Sequence, residues 1–385
     1  MDEAKLQIKL LDHKFEDDTA YVCVGFRGGF TARDFFLDGE NHVRGSYAFY
    51  EVLFEYLNLC LEDDSYNYSF SRSSSYISFS ADSSNCTGKL KELLSVAFGC
   101  DYDEEKFQKA LDSVQDRFGE LYDDVPARAR YKALEVSEFN KQFELGALTD
   151  DYWFMDFELF VQCAKMLIVP GNVLIYIVGD ADKIALSDSM GDIDDLFTAV
   201  EEHSVLLGGY PQDPYLRQDM YLDDTAEENV NITVEAFDFI NEETTCFIRY
   251  FILDILSASL PGYNVEISVD YFDSSIMFES DEPIRCKRAL YDTDEQWFQE
   301  AKEYVLQKYY QLLEEEPELF TAVATYFGLI EIQIDEYLDF VEKSTYSEFL
   351  EICEEADFKV TEALVILREE QSENGENDQA EHGGV

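Results

Sequence analysis

The same order of predicted elements occurs in two halves of the chain, and this repetition constrains the fold more than any other feature. Each half begins with a strand and continues with a helix, a strand pair and several helices. Each then ends in a short apolar strand, at residues 172–178 and 363–367. An order of elements that recurs in this way indicates a duplicated module rather than one large core.

A cluster of Gly and Pro residues at 208–214 separates the two halves and marks the predicted boundary. We therefore predict a first module at residues 1–207, a linker at 208–224 and a second module at 225–368. The polar, patternless residues 369–385 are expected to form a disordered acidic tail.

Hydrophobic periodicity within the halves predicts an α+β fold. Residues 5–10 and 20–26 alternate apolar and polar side chains around a turn at 16–18, which predicts a β-hairpin. Residues 46–61 carry apolar side chains at helical spacing, and residues 66–81 alternate again. We expect two homologous modules, each a mostly antiparallel sheet with helices on one face.

The same criteria predict the remaining elements. Further helices are predicted at residues 89–98, 103–122, 127–143, 152–166, 243–257, 294–315, 317–327, 333–340 and 347–355. Further strands are predicted at residues 231–237, 264–270 and 275–280.

The charge of the chain restricts its partners. It contains 83 acidic and 28 basic residues, which gives a net charge of −55 at pH 7. Such a field repels nucleic acid phosphates and anionic membranes and attracts cationic peptides or a basic partner, although a solvated acidic coat explains the composition equally well. No apolar run is long enough for membrane insertion and the first residues are too polar for a signal peptide, so we expect a cytoplasmic protein.

The helix at residues 45–54 has the sequence Gly-Ser-Tyr-Ala-Phe-Tyr-Glu-Val-Leu-Phe. Two histidines four residues apart on one helix face can share a zinc ion, and a Glu between them can activate the water bound to that ion. In this chain Glu51 is present, but Ala48 and Val52 occupy the two positions where histidines would be needed. The spacing of a metal helix is retained without its ligands.

The chain resembles the insulinase-like zinc peptidases, the family of pitrilysin and the mitochondrial processing peptidases, over residues 1–370. Residues 45–54 are similar to the family sequence Gly-x-Ala-His-Phe-x-Glu-His-x-x-Phe but are one residue shorter. Asn67 and Ser69 lie where the family has Asn-Ala-x-Thr, and residues 170–180 end in Val-Gly-Asp as the family module does.

This resemblance implies a chain without zinc. Both histidine ligands are replaced, by Ala48 and Val52. The third ligand of the family is a Glu about eight residues before a Pro, and that distance before Pro126 gives Phe118. Without a metal-bound water, Glu51 has nothing to activate.

The resemblance also implies substrate-binding positions. Asn67 and Ser69 would lie on the strand beside which a peptide binds. In paired members of the family, the subunit without zinc can supply an Arg and, seven residues later, a Tyr to the active site of its partner. Tyr263, at the start of a predicted strand, has the position of this Tyr, but Leu256 occupies the position of the Arg. The alternative to a role in the partner's active site is that Tyr263 is a structural residue in a turn.

The function implied by the resemblance is that of a noncatalytic subunit. It would form a heterodimer with a homologous zinc-bearing subunit, and the two subunits would enclose a chamber. A peptide would bind there as an extra strand at an exposed sheet edge, and the negative charge of the chain favours a cationic peptide. Its size, missing ligands and acidity are most similar to the inactive partner in bacteriocin-maturation pairs of the subtilosin type. The alternative is a free-standing acidic binding or immunity protein that sequesters a cationic peptide.

Overall fold

A computed structural model describes part of the chain. It covers residues 6–29, 34–36, 42–46, 48–61, 63, 65–70, 74–99, 101–121, 155–184, 186, 206–208, 220–221, 225–241, 243–260, 265–269, 274–280 and 294–369. These residues form nine α-helices and thirteen β-strands. None of these helices is long and apolar enough to cross a lipid bilayer. The predicted helix at 127–143 and the predicted tail after residue 369 lie outside the described residues.

The first module consists of a five-stranded sheet and four described helices. Its strands are β1 (Gln7–Asp12), β2 (Thr19–Arg27), β5 (Asn67–Phe70), β6 (Ser74–Asp82) and β7 (Val173–Gly179). Its helices are α1 (Phe49–Leu61), α2 (Cys86–Phe98), α3 (Glu104–Leu121) and α4 (Phe157–Leu167). A separate small sheet contains β3 (Asp34–Phe36), β4 (His42–Arg44) and β8 (Leu206–Gly208).

The predicted hairpin between the first two strands is wrong. The sheet order is β1-β7-β2-β6-β5, so β7 lies between β1 and β2 and pairs in parallel with β1 and antiparallel with β2. All seven residues of β7 are buried, as expected for a strand covered on both faces. Alternation in β1 and β2 indicates that each has two different faces, but it does not identify the neighbouring strand.

The second module has the same sheet topology as the first. Its strands are β9 (Met220–Tyr221), β10 (Thr225–Phe239), β11 (Val265–Val269), β12 (Ser274–Ser280) and β13 (Phe358–Glu369), in the order β11-β12-β10-β13-β9. The parallel β13–β9 pair corresponds to the parallel β7–β1 pair of the first sheet. The predicted α+β class and the two-module arrangement are confirmed. Strand β9 lies inside the predicted linker, whose exact bounds stay a prediction.

The helices of the second module begin at residues that cap or initiate helices. They are α5 (Cys246–Ser257), α6 (Glu295–Glu315), α7 (Pro317–Leu329), α8 (Ile334–Lys343) and α9 (Tyr346–Ala356). The Asp294 side chain accepts a hydrogen bond from Trp297 N at the start of α6, and Pro317 is the first residue of α7. Thr345 and Glu348 form a capping box at the start of α9.

Helix α7 joins the two modules. The first module's own helices cover one face of its sheet, whereas α7 packs on the other face through Leu329 against Cys23, Tyr76 and Leu174. The opposite side of α7 contributes Phe327 and other residues to the core of the second module. Polar contacts surround this interface, including Arg27 Nε donating to Leu329 O at 3.0 Å and Lys9 Nζ donating to Gln333 Oε1 at 2.8 Å.

We predict that a single added methyl group in this interface destabilises the chain. A Cβ atom at Gly328 would lie 2.4 Å from Leu174 Cδ2, so Gly328→Ala should lower the free energy of unfolding by about 1–3 kcal/mol. Gly119→Ala on α3 is the control, because a Cβ there meets nothing within 4 Å and should stabilise the helix by about 0.5–1 kcal/mol. Urea unfolding of both variants measures the difference. Equal stability of the two variants would contradict the predicted close packing.

Candidate functional site

The site begins where the chain enters α1. Ser46 O accepts a hydrogen bond from Phe49 N at 3.2 Å, and Ala48 O accepts one from Val52 N at 3.0 Å. The helix therefore starts at Phe49, three residues later than the apolar pattern predicts, and Ala48 lies in the turn that precedes it. This arrangement aligns Ala48 and Val52 on the buried side of the helix.

The three predicted ligand positions all belong to the core of the first module. Ala48 and Val52 are 0% exposed and Phe118, on the adjacent helix α3, is 2% exposed. A zinc ion needs nitrogen, oxygen or sulfur ligands, and these side chains offer only hydrocarbon. The position therefore does not fit the metal that the fold family carries. Elsewhere in the described residues, no three His, Cys, Asp or Glu side chains lie close enough to hold a metal ion.

Glu51 is the one chemically competent group of the motif that remains. It is half-buried on α1, and desolvation raises its pKa to about 7, while the charge of Arg117 acts in the opposite direction. Arg117 Nη2 lies 3.0 Å from Glu55 Oε2, so this pair connects α1 to α3 at the edge of the site. Glu51 can exchange a proton near neutral pH, but the described residues contain no ligand set that could hold a metal and polarise a water beside it.

The predicted substrate-binding residues of the first module lie on an edge strand. Asn67 and Ser69 are exposed on β5, which is at the end of the described first sheet. Asn67 Nδ2 donates to Glu318 Oε1 at 2.6 Å, and Ser78 Oγ on β6 donates to the same oxygen at 3.0 Å. The Asn67 side chain is thus held by α7 of the second module. Its role in substrate binding stays a prediction.

Tyr263 lies outside the described residues, in the connection between α5 and β11. Leu256, at the position where the resemblance requires an Arg, is a fully buried core residue of α5. The contribution of Tyr263 to a partner's active site also stays a prediction.

Sequence reasoning missed a buried carboxylate in the second module. Asp254 is 0% exposed on α5, and its Oδ1 accepts a hydrogen bond from Lys308 Nζ on α6 at 2.5 Å. The available signal was an acidic residue within the apolar run Ile-Leu-Asp-Ile-Leu of α5. Its partner is 54 residues away and could not be identified from spacing.

Solved structures support the fold, whereas no family model and no curated protein matches the chain. The structure is similar to a putative M16-like peptidase from Alicyclobacillus acidocaldarius, with a TM-score of 0.74 and 15% identity over 94% of this chain and 97% of that one. It is also similar to a protease from Helicobacter pylori, with a TM-score of 0.67 and 11% identity over 95% and 97% of the two chains.

A third similar structure is described as a peptidase M16 inactive domain from Pseudomonas fluorescens. Its TM-score is 0.63, with 10% identity over 94% of this chain and 95% of that one. At these identities the likeness establishes the insulinase-like fold, and the residues at the site decide which chemistry that fold can support.

We predict that ionisation of Glu51 destabilises the folded chain. Its folded pKa of about 7 exceeds the usual value of 4.5, so its contribution to the free energy of unfolding falls as the pH rises from about 4.5 to about 7. Glu51→Gln removes this loss and should gain about 1–3 kcal/mol relative to the wild type at pH 8, with little change at pH 4. Thermal unfolding at both pH values measures the effect.

The matched control for this prediction is Glu92→Gln, which removes an exposed carboxylate from α2. This variant separates a local effect at Glu51 from the general effect of reducing the negative charge. A gain for Glu92→Gln at pH 8 as large as that for Glu51→Gln would contradict the local explanation.

Proposed function

We propose that this chain is the noncatalytic subunit of a heterodimeric zinc peptidase. It would form half of a closed chamber in which a peptide is processed. The observation that carries this proposal is the buried hydrocarbon of Ala48, Val52 and Phe118 at the ligand positions of an insulinase-like fold. A chain that has the fold of a peptidase and carries hydrocarbon at the predicted ligand positions is suited to a supporting role.

The zinc ion would belong to the partner. The ligand positions in this chain are filled by packed side chains of the first module's core, so inserting a metal there would require replacing that packing. We therefore expect a homologous subunit with intact histidine ligands, and we expect Tyr263 to face that subunit if it contributes to the reaction.

The proposed peptide site is the outer edge of β5. Main-chain groups of an edge strand can pair with an extended peptide, which provides affinity without dependence on the peptide sequence. Because the Asn67 side chain is bonded to Glu318, recognition at this edge would rest mainly on the β5 backbone. The net charge of −55 favours a cationic peptide over an acidic one.

The biological setting that we propose is cytoplasmic maturation of a ribosomally made bacteriocin. The support for it is the resemblance of this acidic chain, in size and in its missing ligands, to the inactive partner of subtilosin-type pairs. A second candidate function is a free-standing acidic protein that sequesters a cationic peptide. The charge of −55 supports this candidate and does not depend on the missing histidines at Ala48 and Val52.

We predict that activity requires two chains. Co-expression with a zinc-motif homologue from the same genome should give a 1:1 complex on size-exclusion chromatography, and only the mixture should cleave peptides. Replacing the motif Glu of the partner by Gln should abolish cleavage and preserve the complex. Glu51→Gln in this chain should preserve both, because the part of the chain that the structure describes has no metal site beside Glu51.

Two outcomes would contradict this proposal in different ways. Metal-dependent cleavage by the purified chain alone would show that it is itself an enzyme. Separate elution combined with full activity of the homologue alone would remove the need for a noncatalytic subunit. Salt-sensitive binding of a cationic peptide to the isolated chain would then favour sequestration.

A further inference from the structure

A groove follows one side of α6 in the second module. Its volume is about 320 Å³. It is lined by Tyr304, Gln307, Lys308, Gln311, Leu312, Glu315 and Glu316. Lys308 is the one cation among these described lining residues, and two carboxylates lie at the C-terminal end of the groove. The lining is therefore mixed, with an aromatic ring, amides and acidic groups.

The ammonium group of Lys308 binds a carboxylate in the protein interior. Lys308 is 29% exposed, whereas the Asp254 side chain that it contacts at 2.5 Å is 0% exposed. The same Nζ lies 4.7 Å from the centroid of the Tyr309 ring. A buried carboxylate and an aromatic face are the two groups that most favour an alkylammonium ion.

The other oxygen of Asp254 is held by two tyrosines. Tyr309 and Tyr337 donate hydrogen bonds to Oδ2 at 3.0 and 2.8 Å, and the Tyr309 hydroxyl also contacts the Tyr250 hydroxyl at 3.2 Å. Burial, together with the charge of Asp254, raises the pKa of Tyr309 and of Tyr337 well above the ordinary value, so both remain donors. Side chains from α5, α6 and α8 thus hold the carboxylate in place before any cation binds.

We propose that the inner end of the α6 groove is a binding site for a primary ammonium group and that Lys308 fills this site in the native chain. Truncation of Lys308 would remove the side chain that joins the groove lining to Asp254 and leave a buried carboxylate without its cation, which is strongly unfavourable. A small alkylammonium ion has the chemistry required to replace the lost group. The proposal does not depend on the peptidase-subunit function, because this site lies in the second module and its test needs no partner.

The test is chemical rescue of Lys308→Ala by n-propylammonium, which supplies the three carbons and the nitrogen removed by the substitution. Lys308→Ala should lower the melting temperature by several degrees more than Lys343→Ala. Lys343 makes an exposed ion pair with Asp339 within a single helix and is the matched control. Tens of millimolar n-propylammonium should recover about half or more of the decrease in melting temperature caused by Lys308→Ala. The melting temperatures of the wild type and of Lys343→Ala should not change.

Two further controls identify the carboxylate and the charge as the cause. The double variant Asp254→Asn, Lys308→Ala should not respond to n-propylammonium, and 1-propanol should not rescue Lys308→Ala. A response of the double variant or of Lys343→Ala equal to that of Lys308→Ala, or equal rescue by 1-propanol, would overturn the proposal. If Lys308→Ala does not accumulate in folded form, its refolding yield becomes the measurement, and no gain with n-propylammonium would overturn the proposal equally.

Discussion

The packing of α7 against the back of the first sheet is the contact on which the arrangement of the chain depends. Each of the two sheets has its own helices, but the strands β2 and β7 are buried on both faces and need a second cover. Helix α7 supplies that cover with Leu329 and at the same time places Phe327 in the core of its own module. The two modules therefore share one helix as a common structural element.

Close approach at this contact depends on residues without large side chains. Gly25 on β2 lies so near α7 that an added Cβ would be 2.5 Å from Thr325 Cγ2, and Gly328 is equally close to Leu174. The hydrogen bonds from Asn67 on β5 and Ser78 on β6 to Glu318 then attach this edge of the sheet to the same helix. As a result, the module interface and the proposed peptide-binding edge are physically connected through α7.

The first helices of the two modules, α1 and α5, differ in the side chains that they bury. In the first module, α1 and the turn before it place the hydrocarbon of Ala48 and Val52 in the core, and desolvation raises the pKa of Glu51. In the second module, Asp254 is buried completely and is compensated by Lys308 and two tyrosine hydroxyls. Buried hydrocarbon packs without compensation, whereas a buried charge requires a specific partner.

The sequence by itself determined most of the long helices and strands and the duplication, and it shows that Ala48, Val52 and Phe118 carry no metal-binding atom. Periodicity acts within a few positions, so the helix predicted at 294–315 agrees closely with α6, whose N-cap is Asp294. Only the tertiary structure decided that β7 separates β1 from β2, that α7 covers the first sheet, and that Asp254 meets Lys308. Periodicity shows that a face is apolar, but the identity of the element that covers it depends on contacts between residues far apart in the chain.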